Sequence, residues 1–167
     1  MVRDIEQFIK ADDWTGARAL IERELVADPD NHWLLTRLAL TYYEQYDYRR
    51  ALQISEQAFA QAPRCPLVLW DYAGALEMLQ RHEEATRIYR QLIRRGVESI
   101  AYDKCGEGIG RARGLVADCY YRLSGCYEAL GRERSALRAF TKHLDMRGPG
   151  CFSIYPLKDI GRESKVA

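Results

Sequence analysis

The side chains with most chemistry to offer are five cysteines and three histidines. Cys105 stands in a glycine-rich run, CGEGIG, beside Lys104 and Glu107. A catalytic thiol needs a base to take its proton and a third group to orient that base. No spacing in this sequence supplies that pair, so Cys105 reads as an ordinary loop residue. The same run lacks the Lys-Ser/Thr that completes a phosphate-cradling loop, and no strand pattern precedes it. Cys119 and Cys126 lie seven residues apart, with His143 further on. On one straight helix seven residues rise about 10.5 Å, too far for two thiolates around one tetrahedral zinc. Both are expected to act as small buried hydrophobes. His32, His82 and His143 form neither an HExxH nor a His-x-His spacing. His143 is expected to be a buried, hydrogen-bonded histidine. No metal, no cofactor and no enzymatic activity are expected.

Charge and hydropathy narrow the partners. The net charge is +1, whereas phosphate backbones demand an excess of Lys and Arg. Nucleic acid is therefore not expected as a partner. The charge is unevenly spread. Residues 1–80 carry 8 basic and 13 acidic side chains, and residues 81–167 carry 17 and 11. This split is ordinary surface composition or a dipole that orients a partner or stacks copies head to tail. No stretch approaches the roughly 20 apolar residues of a membrane helix, so no membrane association is expected. MVRDIEQFIKADDW lacks the apolar run of a secretory signal. The cysteine number is odd and no CxxC occurs. Reduced thiols and a cytoplasmic location are the expectation.

The elements that must position these residues follow a repeat. Ala17, Ala51 and Ala85 are spaced by 34, as are Pro29 and Pro63. Ala136 follows Ala85 by 51, which is the same period plus an insertion of 17. Leu34, Leu35, Leu38 and Tyr42 fall on one helical face. Ala39 and Ala51 are small enough for two helix backbones to approach, while Leu38, Tyr42 and Leu52 fill the space between. Glu83 and Glu84 suit a helix start, and Arg94 and Arg95 before Gly96 suit a helix end. Pro63 ends one helix and Pro66 opens the next. These signals predict helices over about 3–11, 14–27, 32–45, 48–61, 66–79, 82–95, 108–130 and 133–146.

A 34-residue period of paired helices resembles the tetratricopeptide repeat family. The second unit carries Leu38, Ala39, Tyr42, Tyr48, Ala51, Ala58 and Pro63 at signature positions. The third carries Tyr72, Ala73, Leu76, Ala85, Tyr89 and Leu92, with Val97 replacing the proline. The fourth carries Leu123, Ser124, Tyr127, Ala136 and Phe140, and holds His143 where the family prefers a small residue. The first is truncated but keeps Phe8, Trp14, Ala17 and Pro29.

The resemblance implies an all-α solenoid of about four stacked helix-turn-helix repeats in a single domain, 1–160. The repeats would span about 1–30, 31–64, 65–97 and 117–148. An insertion, 98–116, precedes the last. Its front is glycine-rich and reads as a loop. Its back continues an apolar stripe from Ile109 through Ala112, Val116 and Cys119, so the seventh helix should begin about two turns early. The tail, 149–160, is apolar enough to act as a cap or to insert into a neighbour, and 161–167 reads as disordered.

In this family the first helix of each unit lines a concave groove. The positions so implied are Trp33, Arg37, Leu40, Tyr43 and Glu44, then Asp71, Gly74, Glu77 and Met78, then Asp118, Tyr121, Arg122 and Gly125. Chaperone-binding members clamp a C-terminal carboxylate with Lys, Arg and Asn at positions that here hold Thr36, Leu40, Asp71 and Gly74. That clamp is missing, so no affinity for chaperone tails is expected. The expected function is a protein-interaction adaptor holding a peptide or helix of a partner in the groove. The alternative is a self-association module that builds a homo-oligomer through its charged ends and tail.

Overall fold

Short polar side chains set where the helices start. A computed structural model describes residues 2–155. Among these residues the chain forms α1 (Val2–Lys10), α2 (Trp14–Ala27), α3 (His32–Tyr43), α4 (Tyr48–Gln61) and α5 (Pro66–Met78). Then come α6 (His82–Arg95), α7 (Val97–Ala101), α8 (Ile109–Ala129) and α9 (Glu133–Met146), with no strand among the described residues. The Asp13 carboxylate accepts the Gly16 N–H at 2.8 Å and caps α2. Asn31 caps α3 by accepting from Trp33 and Leu34, and Asp47 caps α4 by accepting from Arg50 at 3.2 Å. Each cap satisfies an N–H that the helix itself leaves open. Pro66 begins α5 where its missing N–H costs nothing.

The turn inside each helical hairpin has a common form. Asp12, Tyr46 and Gln80 all adopt positive φ, at 54°, 64° and 62°. They are spaced by the same 34 residues as the alanines. Gly131, with φ 68°, fills this place before α9. A left-handed residue reverses the chain in one step, so that the next helix runs back along the previous one. Only the last unit uses the residue type that adopts this conformation without steric cost.

The backbone gathers into two compact units, one ending at Ala85 and the other beginning at Thr86, within α6. In the first unit α1 packs on α2 and α3 on α4, while α2 meets α3 and α4 meets α5. The first helices of successive hairpins, α3 and α5, also touch. Ile5, Ala17, Ile21, Leu34 and Leu38 form a buried cluster, flanked by Trp33, Tyr42 and Ile54. In the second unit α8 packs on α7 and α9. Its buried side chains include Tyr89, Leu92, Ile100, Val116, Cys119, Leu123, Cys126 and Ala136. The repeating alanines Ala17, Ala51, Ala85 and Ala136 are all buried.

One departure from the sequence-based expectation lies at the front of the insertion. Residues 97–101, expected to be loop, form α7. Gly96 turns the chain at φ 77°. Val97, Ile100 and Ala101 then recur at helical spacing, and the last two are buried. After α7 the loop folds tightly. The Arg95 guanidinium pairs with Asp103 at 2.7 Å, and Asp103 accepts the Cys105 N–H at 3.1 Å. A side chain at Gly106 would meet the Ala101 carbonyl at 2.3 Å, so glycine there is a matter of space. The early start of α8 agrees with the apolar stripe, and its 21 residues span about 31 Å. The expected disordered segment, 161–167, lies outside the described residues.

The positive-φ turns yield a stability prediction. Gln80→Gly should raise unfolding free energy by about 0.5–1 kcal/mol, because the strain of a left-handed glutamine exceeds the entropy that glycine loses. Gly131→Ala should lower it by about 1 kcal/mol. Urea unfolding followed by circular dichroism, with an unchanged denaturant slope, checks both.

Candidate partner-binding site

In the first unit the implied groove residues form stripes along α3 and α5. Trp33, Arg37, Leu40, Tyr43 and Glu44 follow one another at steps of three, four and one, so they share a face of α3. All five keep some surface, and Glu44 is exposed. Arg37 holds the middle of this face. Its guanidinium lies over the Trp33 ring, 5.5 Å from the centroid, and pairs with Glu6 of α1 at 3.3 Å. Tyr43 is drawn sideways, its ring edge-on to Tyr48 at 5.3 Å. On α5, Asp71 and Glu77 are half-buried, Met78 is exposed and Gly74 is buried. Gly74 presents no side chain of its own.

Two acids of this face, Asp71 and Glu44, hold their protons more tightly than usual. Burial pushes the Asp71 carboxyl up to about 7, with the positive charge of Arg37 pulling the other way. Burial, with the negative charge of Asp12, raises the Glu44 carboxyl. A carboxyl near neutrality can donate a hydrogen bond in one protonation state and accept in the other.

In the second unit the structure brings Asp118, Tyr121 and Arg122 together around a peptide, and the peptide is the chain's own tail. Gly110, Gly114, Asp118, Tyr121 and Arg122 make one stripe along α8. The segment 150–155 lies against it. The Phe152 N–H donates to the Gly110 carbonyl at 3.1 Å. A Cβ at Gly114 would fall 2.1 Å from the Phe152 carbonyl oxygen, and one at Gly110 would fall 2.7 Å from the Phe152 ring. The two glycines thus clear a path for backbone on helix.

Further along, Asp118 accepts the Ser153 hydroxyl and, at 3.0 Å, the Ile154 N–H. Arg147 donates to the Ser153 hydroxyl and to the Tyr155 carbonyl, both at 2.6 Å. The Tyr155 ring lies 4.4 Å from that of Tyr121. Arg122 donates to the Tyr155 hydroxyl at 3.3 Å and to the Tyr89 hydroxyl at 3.2 Å. Burial raises the Asp118 carboxyl, while its bonds to Ser153 and Ile154 pull it back. Gly125 lies beyond these contacts and is exposed, with none of the described residues beyond its own helix within 4 Å of where a Cβ would stand.

The candidate reactive groups are engaged in structure. His143 is fully buried, and its Nδ1 meets the Ala117 carbonyl at 2.8 Å, a bond that places the ring proton on Nδ1. Desolvation lowers its pKa, which keeps the ring neutral. Burial raises the Cys119 thiol well above its ordinary range, the opposite of what a nucleophile or thiolate ligand needs. Sequence reasoning missed the roles of Gly110, Gly114 and Arg147. The signal available was the pair of glycines four apart on an otherwise regular helical stripe.

Comparison with known proteins agrees with this architecture. Residues 42–104 match a tetratricopeptide repeat family model. No curated protein matches the sequence. Among solved structures, MamA is similar at 20% identity, covering 86% of this chain and 74% of that one, with a TM-score of 0.66. A second MamA structure, designated AMB-1, is similar at 23% identity over 83% and 72%, with a TM-score of 0.63. The C-terminal part of a TPR repeat-containing protein from Cytophaga hutchinsonii is similar at 15% identity over 88% and 65%, with a TM-score of 0.51. At these identities the likeness speaks to the fold. No helix among the described residues is long and apolar enough to cross a membrane.

Two predictions follow from the two faces. Folded Asp71 keeps its proton to about pH 7, against 3.8 for the ordinary group. Between those values the folded chain binds more protons than the unfolded one, so stability falls as pH rises through that window. Asp71→Asn should flatten the slope and leave the variant more stable than the parent at pH 8, as read by chemical denaturation at several pH values. At α8, Gly114→Val should expel the tail. Amide exchange at Phe152 and Ile154 should then accelerate at least tenfold while far-ultraviolet helicity is retained.

The repeat period, the hairpin packing and the matched segment 42–104 together give this chain a tetratricopeptide-repeat fold.

Proposed function

We propose that the chain is a non-catalytic adaptor that holds an extended peptide of a partner protein along the inner faces of its first-in-hairpin helices. The repeat fold is a protein-interaction module. What supports the specific mode is the segment 150–155 on α8. Phe152, Ser153 and Ile154 are bound through backbone groups and one hydroxyl, and Tyr155 through its ring and its oxygen. Backbone bonding with alternate side-chain anchors is how extended peptides are recognised elsewhere. On the first unit, Trp33 and Arg37 supply an aromatic and a cation, the residue types that concentrate binding energy at interfaces. A reading as a self-association module draws on the same tail, which a second copy could supply in exchange.

The test uses the tail as ligand. A peptide of residues 149–155 added to the chain cut after Gly148 should bind with a Kd of about 10–100 μM. Tyr121→Ala and Arg122→Ala should each weaken it about tenfold. The intact chain should not bind it, because its own tail has the advantage of effective concentration. Equal binding to the cut and intact chains would remove the groove assignment. Concentration-dependent dimers of the intact chain that vanish on cutting would favour exchange between copies.

A further inference from the structure

The second unit has a cleft on the side of α8 away from the tail. Arg90, Ile93 and Arg94 of α6 form one bank, and Ser135, Arg138, Ala139 and Lys142 of α9 the other. Tyr120, Leu123 and Tyr127 of α8 form the floor. At 100° per residue, these α8 positions lie about half a turn from Gly114, Asp118 and Tyr121. Occupation of one face therefore leaves the other open.

The chemistry of the cleft is uniform. Its volume is about 330 Å³, at the small end for ligand pockets. Among the described residues no acidic side chain lines it. Arg90 and Arg94 stand one helical turn apart on one bank, and Arg138 and Lys142 one turn apart on the other. All four are exposed. Arg90 and Arg94 have no ion-pair partner among the described residues. Arg138 donates to the Arg134 carbonyl at 3.2 Å, and Lys142 has Asp145 at 3.9 Å, both exposed. Leu123 and Ala139 are buried at the bottom, and the two tyrosines and Ile93 are half-buried.

We infer that this cleft is a second docking surface and that it takes an acidic amphipathic helix of a partner protein. Two banks of cations at one-turn spacing match carboxylates at i and i+4 on a helix laid along them. The apolar floor between matches one large apolar side chain facing down. Four cations facing one another across a short cleft, in a chain of net charge +1, do not make a backbone track for a nucleic-acid strand. The surface thus differs from the inner wall in both ligand and location. An adaptor with two unlike faces can hold two partners at once.

The probe is a synthetic 18-residue helical peptide with paired glutamates one turn apart and one central leucine, titrated against the full-length chain at low salt. Binding at a micromolar Kd is expected, weakening at least tenfold with Arg94→Glu plus Arg138→Glu. It should also weaken at least tenfold when the leucine becomes alanine, and vanish when the glutamates become glutamines. Gly114→Val, which disturbs only the opposite face, should leave the Kd unchanged. The substituted cations are exposed, and circular dichroism should confirm unaltered helix content. Equal binding to the charge-reversed protein, or no binding at all, overturns the proposal. So does tighter binding of a single-stranded DNA oligomer that the same reversal abolishes. Self-association that the reversal abolishes would make the acidic half of a second copy the occupant and would also overturn it.

Discussion

Two helices of a hairpin can cross closely only where a small side chain stands between their backbones. Ala17, Ala51, Ala85 and Ala136, which recur with the repeat, are small and all buried. A larger side chain would hold the helices apart and open gaps that nothing in a thin two-layer structure could refill. From this constraint the rest follows. Close crossing forces the reversal between helices to be short, and a short reversal forces one residue into positive φ at Asp12, Tyr46, Gln80 and Gly131. Hairpins so formed are too thin to bury their apolar sides alone, so each leans on the next, as α2 leans on α3 and α4 on α5. The first helix of each hairpin is then left with the side to which the proposed peptide ligand is assigned.

The two units use that side differently. On α3 and α5 it is a mixed surface of Trp33, Arg37 and two carboxyls, Asp71 and Glu44, whose pKa burial raises. On α8 it is already filled. The tail contributes a backbone N–H to Gly110, a hydroxyl and an N–H to Asp118, and a ring to Tyr121. Arg147 at the end of α9 ties the tail down by bonding to both Ser153 and Tyr155. A partner that reaches this wall must offer more than the tail does, or arrive when the tail is away. On the proposed function, occupancy from within sets a threshold for binding from without.

Much of the fold was legible in the residues because period, caps and small residues all state the same geometry. The helix from Ile109 was readable from its apolar stripe, and His143 as a buried, bonded ring from its place in the repeat. The short helix Val97–Ala101 was not, since five residues carry too little periodicity and three nearby glycines suggested loop. Asp118, Tyr121 and Arg122 came from family position, and the structure gathers them around one segment. What they hold could not be read from sequence. The tail's contacts depend on the absence of side chains at Gly110 and Gly114, and a glycine on a helix carries no mark of what will lie against it. Likewise nothing in the sequence marks the proton held by Asp71, which arises from burial that outweighs the pull of Arg37.

The most direct measurement is of the two tyrosine rings in solution. With selectively labelled tyrosines, nuclear Overhauser contacts between the rings of Tyr155 and Tyr121, 4.4 Å apart between centroids, are expected within one molecule, and they should persist on dilution. Random-coil shifts for 150–155 with no such contact would contradict the claim that α8 carries a peptide site filled by the chain itself.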